Sequence, residues 1–553
     1  MLTRIRGGTL YDPANGVDGV VADLHIRDGR IVAPVPDAAP VQEIDASGTI
    51  VMAGAIDLHT HIGGGKVNIA RTMLIEDHRA HPLASVNGLR GGSGLASPST
   101  TATGYRYAEM GYTACFEPAV LPSNARQAHL EMADVPMVDT GGYVLIGNDD
   151  FLLRALADGA DQALVNDYVA WLLNATQCIG IKIVNPGGIN AFKFNGRKLD
   201  VDEAGPHYGV TPRTIVRVVA RALEELGVPH PLHIHASNLG VPGNFKSTLQ
   251  TMEAAEGLPI HLTHVQFHSY GAEGERKFSS SAALIAEAVN RLPHVSVDVG
   301  QIMFGQTITC SADTMRQYAN HGHAKPNKWT CMDIECEAGC GVVPFRYRSQ
   351  RFVNALQWAI GLELFLLVND PWRVILTTDH PNGAPFTTYP HLIRLLMDKG
   401  FRREKLAGID PVAAAASVLG GLEREYSLYE IAVMTRAAPA RLLGLRDRGQ
   451  LGVGAMADVV VYQPDADVER MFSRPALVLK QGEIIVRDGQ IAREPRAVTH
   501  TVKPAYDSAI ERRLEKYFAD YSTVRLANFK IGDDEMAEGI GSAVLVHPCG
   551  RGH

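Results

Sequence analysis

Residues 211–236, TPRTIVRVVARALEELGVPHPLHIHA, hold the pattern on which the fold turns. Thr211 stands where a helix N-cap belongs, and Pro212 takes the first helical position. Ile215, Val218, Val219, Ala222 and Leu226 follow at helical spacing, and Gly227 is a stop signal. The apolar strand PLHIHA comes next. The same order recurs as SAALIAEAVNRL (281–292) before HVSVDV (294–299), and as NALQWAIGLELFLLV (354–368) before RVILTTD (373–379). Helix-then-strand units repeated over roughly 400 residues predict a parallel sheet, and the closed (β/α)8 barrel is the form best suited to it.

The two ends of the chain read differently. TRIRGGTLYD (3–12), VADLHIRDGRIV (21–32) and QEIDASGTIV (42–51) are short strands separated by Gly, Asp and Asn, and 457–492 has the same character. The expected division is a small β-sandwich domain built from 1–52 and 446–500, a barrel from 53–445, and a C-terminal extension from 501–553 containing the helix DSAIERRLEKYFADY. The stretch near 300–350, rich in His, Cys and Gly, breaks the alternation and is expected to be a long loop at the barrel mouth.

With 46% hydrophobic and 20% charged residues, the 553-residue chain has the composition of a soluble globular protein rather than a disordered one. The first residues, MLTRIRGGTLYDPANG, carry neither the apolar run of a signal peptide nor a membrane span, so no membrane association and a cytoplasmic location are expected. Seven cysteines at irregular spacing do not make a disulfide framework. A net charge of −8 argues against nucleic acid as a partner and points to a small-molecule substrate.

The chemistry gathers where apolar strands run out. Asp57, His59 and His61 of DLHTH alternate along one strand and share a face, so two imidazoles two residues apart can hold a metal ion. His233 and His235 share a face in PLHIHASN, His264 ends IHLTHV, and Asp379 ends VILTTD. Lys182, in CIGIKIVNPGG, is a lysine inside an apolar strand. A buried, unpaired ammonium is costly, so it must be paired, neutral or modified. Lys193, in AFKFNGR, lies among loop-forming residues. Lys66 and Arg71 follow the HxH strand closely enough to contact a substrate carboxylate or carbonyl, or to serve as a loop charge or structural pair. Cys331, Cys336 and Cys340, with His321 or His323, match no common zinc module.

The order HxH, strand lysine, His, His, Asp resembles the amidohydrolase superfamily. That resemblance implies a dinuclear metal centre with His59, His61, Lys182, His235, His264 and Asp379 as ligands, Lys182 being N6-carboxylated to bridge two ions, for which the nitrogen and carboxylate ligands point to Zn2+. His235 is taken over His233 because the family ligand ends its strand. Asp379 would accept the proton of the attacking water and pass it to the leaving nitrogen, with His268 and His380 as the next proton carriers to consider.

Longer strings carry a closer likeness. DLHTHIGGGKVNIAR, IKIVNPGGINAFKFN, HIHASNLGVPGNFKSTL, HLTHVQFHSYG and TTDHPNGAPFTTYP are similar to the A-type subunits of formylmethanofuran dehydrogenases and of the bacterial formyltransferase/hydrolase complexes. The likeness implies hydrolysis of an N-formylmethanofuran-type or methylofuran-type carrier to formate and free amine within a hetero-oligomer that includes a formyltransferase, as in bacterial formaldehyde oxidation. A composition rich in alanine and arginine favours this bacterial hydrolase over the CO2-reducing dehydrogenase, whose redox half would need an iron–sulfur cysteine pattern that the chain lacks. A cyclic-amide hydrolase and a non-catalytic scaffold on the same fold are the other readings.

Overall fold

The computed structural model describes residues 2–35, 42–85, 88–188, 199–312 and 341–550. Lys193, His321, His323 and the three cysteines at 331, 336 and 340 lie outside the described residues.

The helix expected after Thr211 spans Pro212–Glu225; the Thr211 side chain accepts from the Thr214 amide, and Gly227 turns the chain at φ +63°. Its apolar stripe, Ile215, Val216, Val219, Ala220, Ala222 and Leu223, is buried. A strand follows, as in the other helix–strand units. The barrel strands are β1 (Ala55–Asp57), β2 (Tyr112–Val120), β3 (Asp139–Leu145), β4 (Gly180–Val184), β5 (Leu232–His235), β6 (Ile260–Leu262), β7 (Val295–Asp298) and β8 (Val374–Ile375). Each pairs in parallel with the next, from β1–β2 through β7–β8. The ring closes beyond the regular strands through a parallel bridge of Thr60 with His380, where the His61 amide donates to the His380 carbonyl at 2.7 Å. The strands thus form the (β/α)8 barrel expected from the sequence, with a separate sheet domain beside it.

Segments from before and after the barrel meet in that second unit. Ile50–Ala53 pairs antiparallel with Val459–Tyr462 inside one nine-stranded sheet, over a small core that includes Ile5, Leu24, Val51, Val459 and Leu479. Val498–Val502 goes elsewhere: it pairs with β3 at Thr140 and carries the parallel strand Ala543–His547 on its other edge. The boundary expected at residue 500 therefore falls inside a strand of the barrel sheet. Asp139 explains the attachment. It is fully buried at the start of β3, accepts from Lys480 at 2.7 Å and from the Val498 amide at 3.2 Å, and has the Arg448 guanidinium 3.4 Å away. Such a buried network needs all its members, so sheet domain, barrel and extension are joined through one carboxylate.

The described ends of the stretch near 300–350 are not irregular. Gly305–Ala312 and Gly341–Tyr347 form an antiparallel ribbon, which the His, Cys and Gly content conceals in the sequence. Among the described residues, no helix is long and apolar enough to cross a membrane.

Candidate metal centre

Parallel pairing sets Lys182 on β4 beside His233 on β5, and His233 beside His261 on β6, so one tier of the barrel interior is polar where such tiers are ordinarily filled by Val, Ile and Leu. Further along the strands stand most of the residues singled out from the sequence. His59, His61, Lys182, His235, His264 and Asp379 are all at most 3% exposed.

All but Lys182 fall into two groups. In the first, His59 Nε2 and His61 Nε2 face Asp379 Oδ1 at 2.9 and 3.5 Å. In the second, nitrogens of His235, His264 and His268 lie within 4.8 Å of one another. The backbone is bent to bring them there. His264 and Asp379 adopt positive φ, +34° and +50°, conformations costing about 1–3 kcal/mol that persist where the surroundings enforce them. Gly300 is part of the enforcement: a Cβ there would sit 2.3 Å from that of His264.

Partners behind the two groups orient the rings. His61 Nδ1 meets Glu117 Oε1 at 2.9 Å, while Glu117 Oε2 accepts from the amides of Ile62 and Gly63. His59 Nδ1 lies 3.2 Å from Asp298 Oδ2 and 2.8 Å from His233 Nε2. Asp298 also accepts from the His264 amide and the Thr377 hydroxyl and contacts His261. Thus Nδ1 of both HxH rings is engaged, and Nε2 of both points to Asp379. His233 is taken up by His59 on one side and His230 on the other, whereas His235 Nε2 has no hydrogen-bond partner among the described residues. The third potential metal-holding trio, His59, His233 and Asp298, is this hydrogen-bonded outer set. Asp57 lies behind the HxH strand, where its carboxyl accepts from Tyr107 at 2.8 Å and from Tyr389, and burial lifts it to about 6.

The electrostatics suit cations. Burial pushes His264 down to about 3, and burial with His264 beside it holds His235 well below the usual imidazole range, so both rings are neutral with a lone pair available. For Asp379 burial works upward, but His264 and His59 outweigh it and keep the carboxylate ionised. Burial brings Lys182 down to about 8 against the opposing pull of Asp379, Asp298 and Glu117. Among the described residues, His59, His61, His235 and His264 each present a buried ring nitrogen without a hydrogen bond. Unsatisfied buried nitrogens converging beside a carboxylate are a donor set that divalent cations fit, and nitrogen with carboxylate is the ligand chemistry of zinc.

The two cations downstream of the HxH strand differ. Arg71 donates to the carbonyls of Pro98 and Ile62 and pairs with Glu131 at 2.9 Å, so protein acceptors use its guanidinium. Lys66 is half-buried beside His61, Gly63 and Glu117, close enough to act electrostatically on Lys182. His380 Nδ1 accepts from the Phe386 amide at 3.2 Å.

Glu117 and Asp298 were not singled out from the sequence. Both carry the signal that marks Lys182 and Asp379: a charged residue in the apolar strand TACFEPAV, and one ending HVSVDV.

Comparison with known proteins matches residues 42–491 to the model of the amidohydrolase family. The A-type subunit of the formyltransferase/hydrolase complex Fhc of Methylorubrum extorquens is 45% identical, with 98% of each chain covered. Protein FwdA of Methanocaldococcus jannaschii is 42% identical, with 96% of each covered. A crystal structure of the M. extorquens FhcABCD complex with methylofuran contains a chain that superposes with a TM-score of 0.93 at 44% identity, covering 99% of this chain and all of that one.

Proposed function

The chain belongs to the amidohydrolase family, and from that premise we propose that it hydrolyses the N-formyl amide of a methanofuran- or methylofuran-type carrier, releasing formate and the free amine. The observation that carries the reading is the gathering of buried His59, His61 and Asp379, and of His235, His264 and His268, at the carboxyl ends of four barrel strands, where such barrels do their chemistry, with the buried Lys182 within electrostatic reach of Asp379. The carrier is assigned from the relative crystallised with methylofuran.

His59 and His61 would hold one ion and His235 and His264 the other, with Asp379 on the first and an N6-carboxylated Lys182 between them. When bound, two such ions supply Lewis acidity: they polarise a carbonyl and lower the pKa of water toward neutrality. The remaining work falls to the chain. A lysine near 8 has a neutral amine fraction at physiological pH, the form that adds to carbon dioxide. Asp379 takes the proton of the attacking water and delivers it to the leaving nitrogen as the formyl C–N bond breaks. Glu117 and Asp298 hold the HxH rings with their Nε2 atoms, the nitrogens that would hold an ion, turned toward Asp379.

Glu117→Gln keeps the shape but loses the charge behind His61. It is expected to weaken metal retention by about 10- to 100-fold in chelator competition, and an unchanged affinity would mean that the ring is oriented by other contacts.

The chain is proposed to act in the cytoplasm as the hydrolase component of a formyltransferase/hydrolase assembly, as the name of its 45% identical relative indicates. The 42% identity to FwdA supports a second reading, the corresponding component of a CO2-reducing formylmethanofuran dehydrogenase. Purification with native partners separates the two: a formyltransferase is expected, and a molybdopterin protein with iron–sulfur subunits would overturn the hydrolase-only assignment. The substrate is tested on the same complex. Formate release from the formylated carrier and no ring opening of dihydropyrimidines is expected; the reverse would reassign the site to cyclic amides.

A further inference from the structure

We propose that His268 is a third imidazole ligand of the ion assigned to His235 and His264, an addition to the two-histidine set that the family order implies. The inference rests on the dinuclear reading above.

The local chain path creates the third position. His264, two residues past the end of β6, is left-handed, and the chain turns at once into the short 3-10 helix Val265–His268. Four residues on, the His268 ring lies alongside that of His264, with centroids 5.3 Å apart and planes at 25°. It meets the His235 ring at 5.2 Å and 74°. One nitrogen from each of the three rings falls within 4.8 Å of the others. A tetrahedral ion with metal–nitrogen bonds of about 2.1 Å asks for nitrogens about 3.4 Å apart, which small ring rotations would reach.

Comparison with the other buried histidines shows that this trio is not ordinary core. His129 meets the Thr176 carbonyl, His230 meets Leu442 and His233, and His261 meets Ser296 and Asp298. Each has at least one hydrogen bond of good geometry. His268 is 1% exposed and has no hydrogen bond of that geometry at either ring nitrogen among the described residues, only an approach to the Ser237 backbone; His264 likewise has no hydrogen bond at either ring nitrogen. Three adjacent buried imidazoles, each with at least one ring nitrogen lacking a well-formed hydrogen bond among the described residues, are costly unless something shared satisfies them, and a cation does so through the lone pairs. Three nitrogens also bias this position toward zinc-like metals over magnesium or manganese, whereas the Asp379 side offers two nitrogens and a carboxylate.

The experiment uses the assembled complex and reads metal rather than turnover. Wild type and His268→Gln are dialysed against graded dipicolinate, metal per chain is counted, and both are loaded with cobalt(II) for absorption spectra. Wild type is expected to retain two ions, and His268→Gln to lose one of them at a chelator concentration at least about tenfold lower. His268→Asp, whose carboxylate can ligate, is expected to recover retention with a shifted cobalt band. Two ions in His268→Gln with wild-type chelator resistance and an unchanged cobalt spectrum would overturn the assignment. If the Gln variant does not assemble, an unchanged cobalt band in His268→Asp would overturn it equally. Wild type holding fewer than two ions would count against the dinuclear reading itself, independently of His268.

Discussion

Lys182→Ala is expected to abolish formyl-amide hydrolysis and to yield protein depleted of metal. Lys182 sits mid-strand on β4, in register with Leu145 and His233, with its side chain 2% exposed and no surface route for its charge. Truncation removes the only lysine on that strand and, with it, the bridging carboxylate that carboxylation would create. The space left by the side chain is also the means of rescue. A short carboxylic acid supplied with zinc can enter it and stand in for the lost bridge, so partial activity is expected to return with acetate or propionate and not with chloride. Full metal content and ordinary turnover in the alanine variant would show that Lys182 bridges nothing.

Asp379→Asn is expected to separate binding from proton transfer. Asparagine keeps the shape and one oxygen ligand, and the Asn382 amide that donates to Asp379 Oδ1 at 2.9 Å still has a carbonyl to meet. It cannot take a proton. General acid–base assistance contributes about 10²- to 10⁴-fold, so turnover is expected to fall by that factor while much of the metal stays bound. His59→Ala and His61→Ala are expected to lose metal first. A near wild-type rate in Asp379→Asn with both ions present would pass the proton to another group, and His380, the next residue in the chain, would be first to examine.

Much of this site is legible in the sequence because barrel architecture converts periodicity into position. A helix with a buried stripe, as at Pro212–Glu225, forces the next apolar run into the sheet, and the polar residue ending that run must then stand at the barrel mouth. His59, His61, His264 and Asp379 stand out that way, and Lys182 by the anomaly of a cation among isoleucines. What the pattern does not resolve is depth. His233 and His235 look equivalent in PLHIHA, and only the neighbouring strands decide that His233 is consumed by His59 and His230 while His235 faces His264. Arg71 shows the same limit: its position after the HxH strand suits a substrate contact, but Glu131, Pro98 and Ile62 arrive from elsewhere to engage it. The strand Val498–Val502 is unreadable as part of the barrel sheet because its attachment depends on Asp139, about 360 residues earlier in the chain and recognisable only through long-range pairing.

The measurement that bears most directly on the dinuclear assignment is a titration of zinc into the metal-free complex while formate release from the formylated carrier is followed. Turnover is expected to be absent without metal, to rise with loading and to level off at two ions per chain, with bicarbonate needed in the buffer to carboxylate Lys182. Full turnover by the metal-free protein, or a plateau unaffected by the loss of either histidine pair, would contradict the assignment.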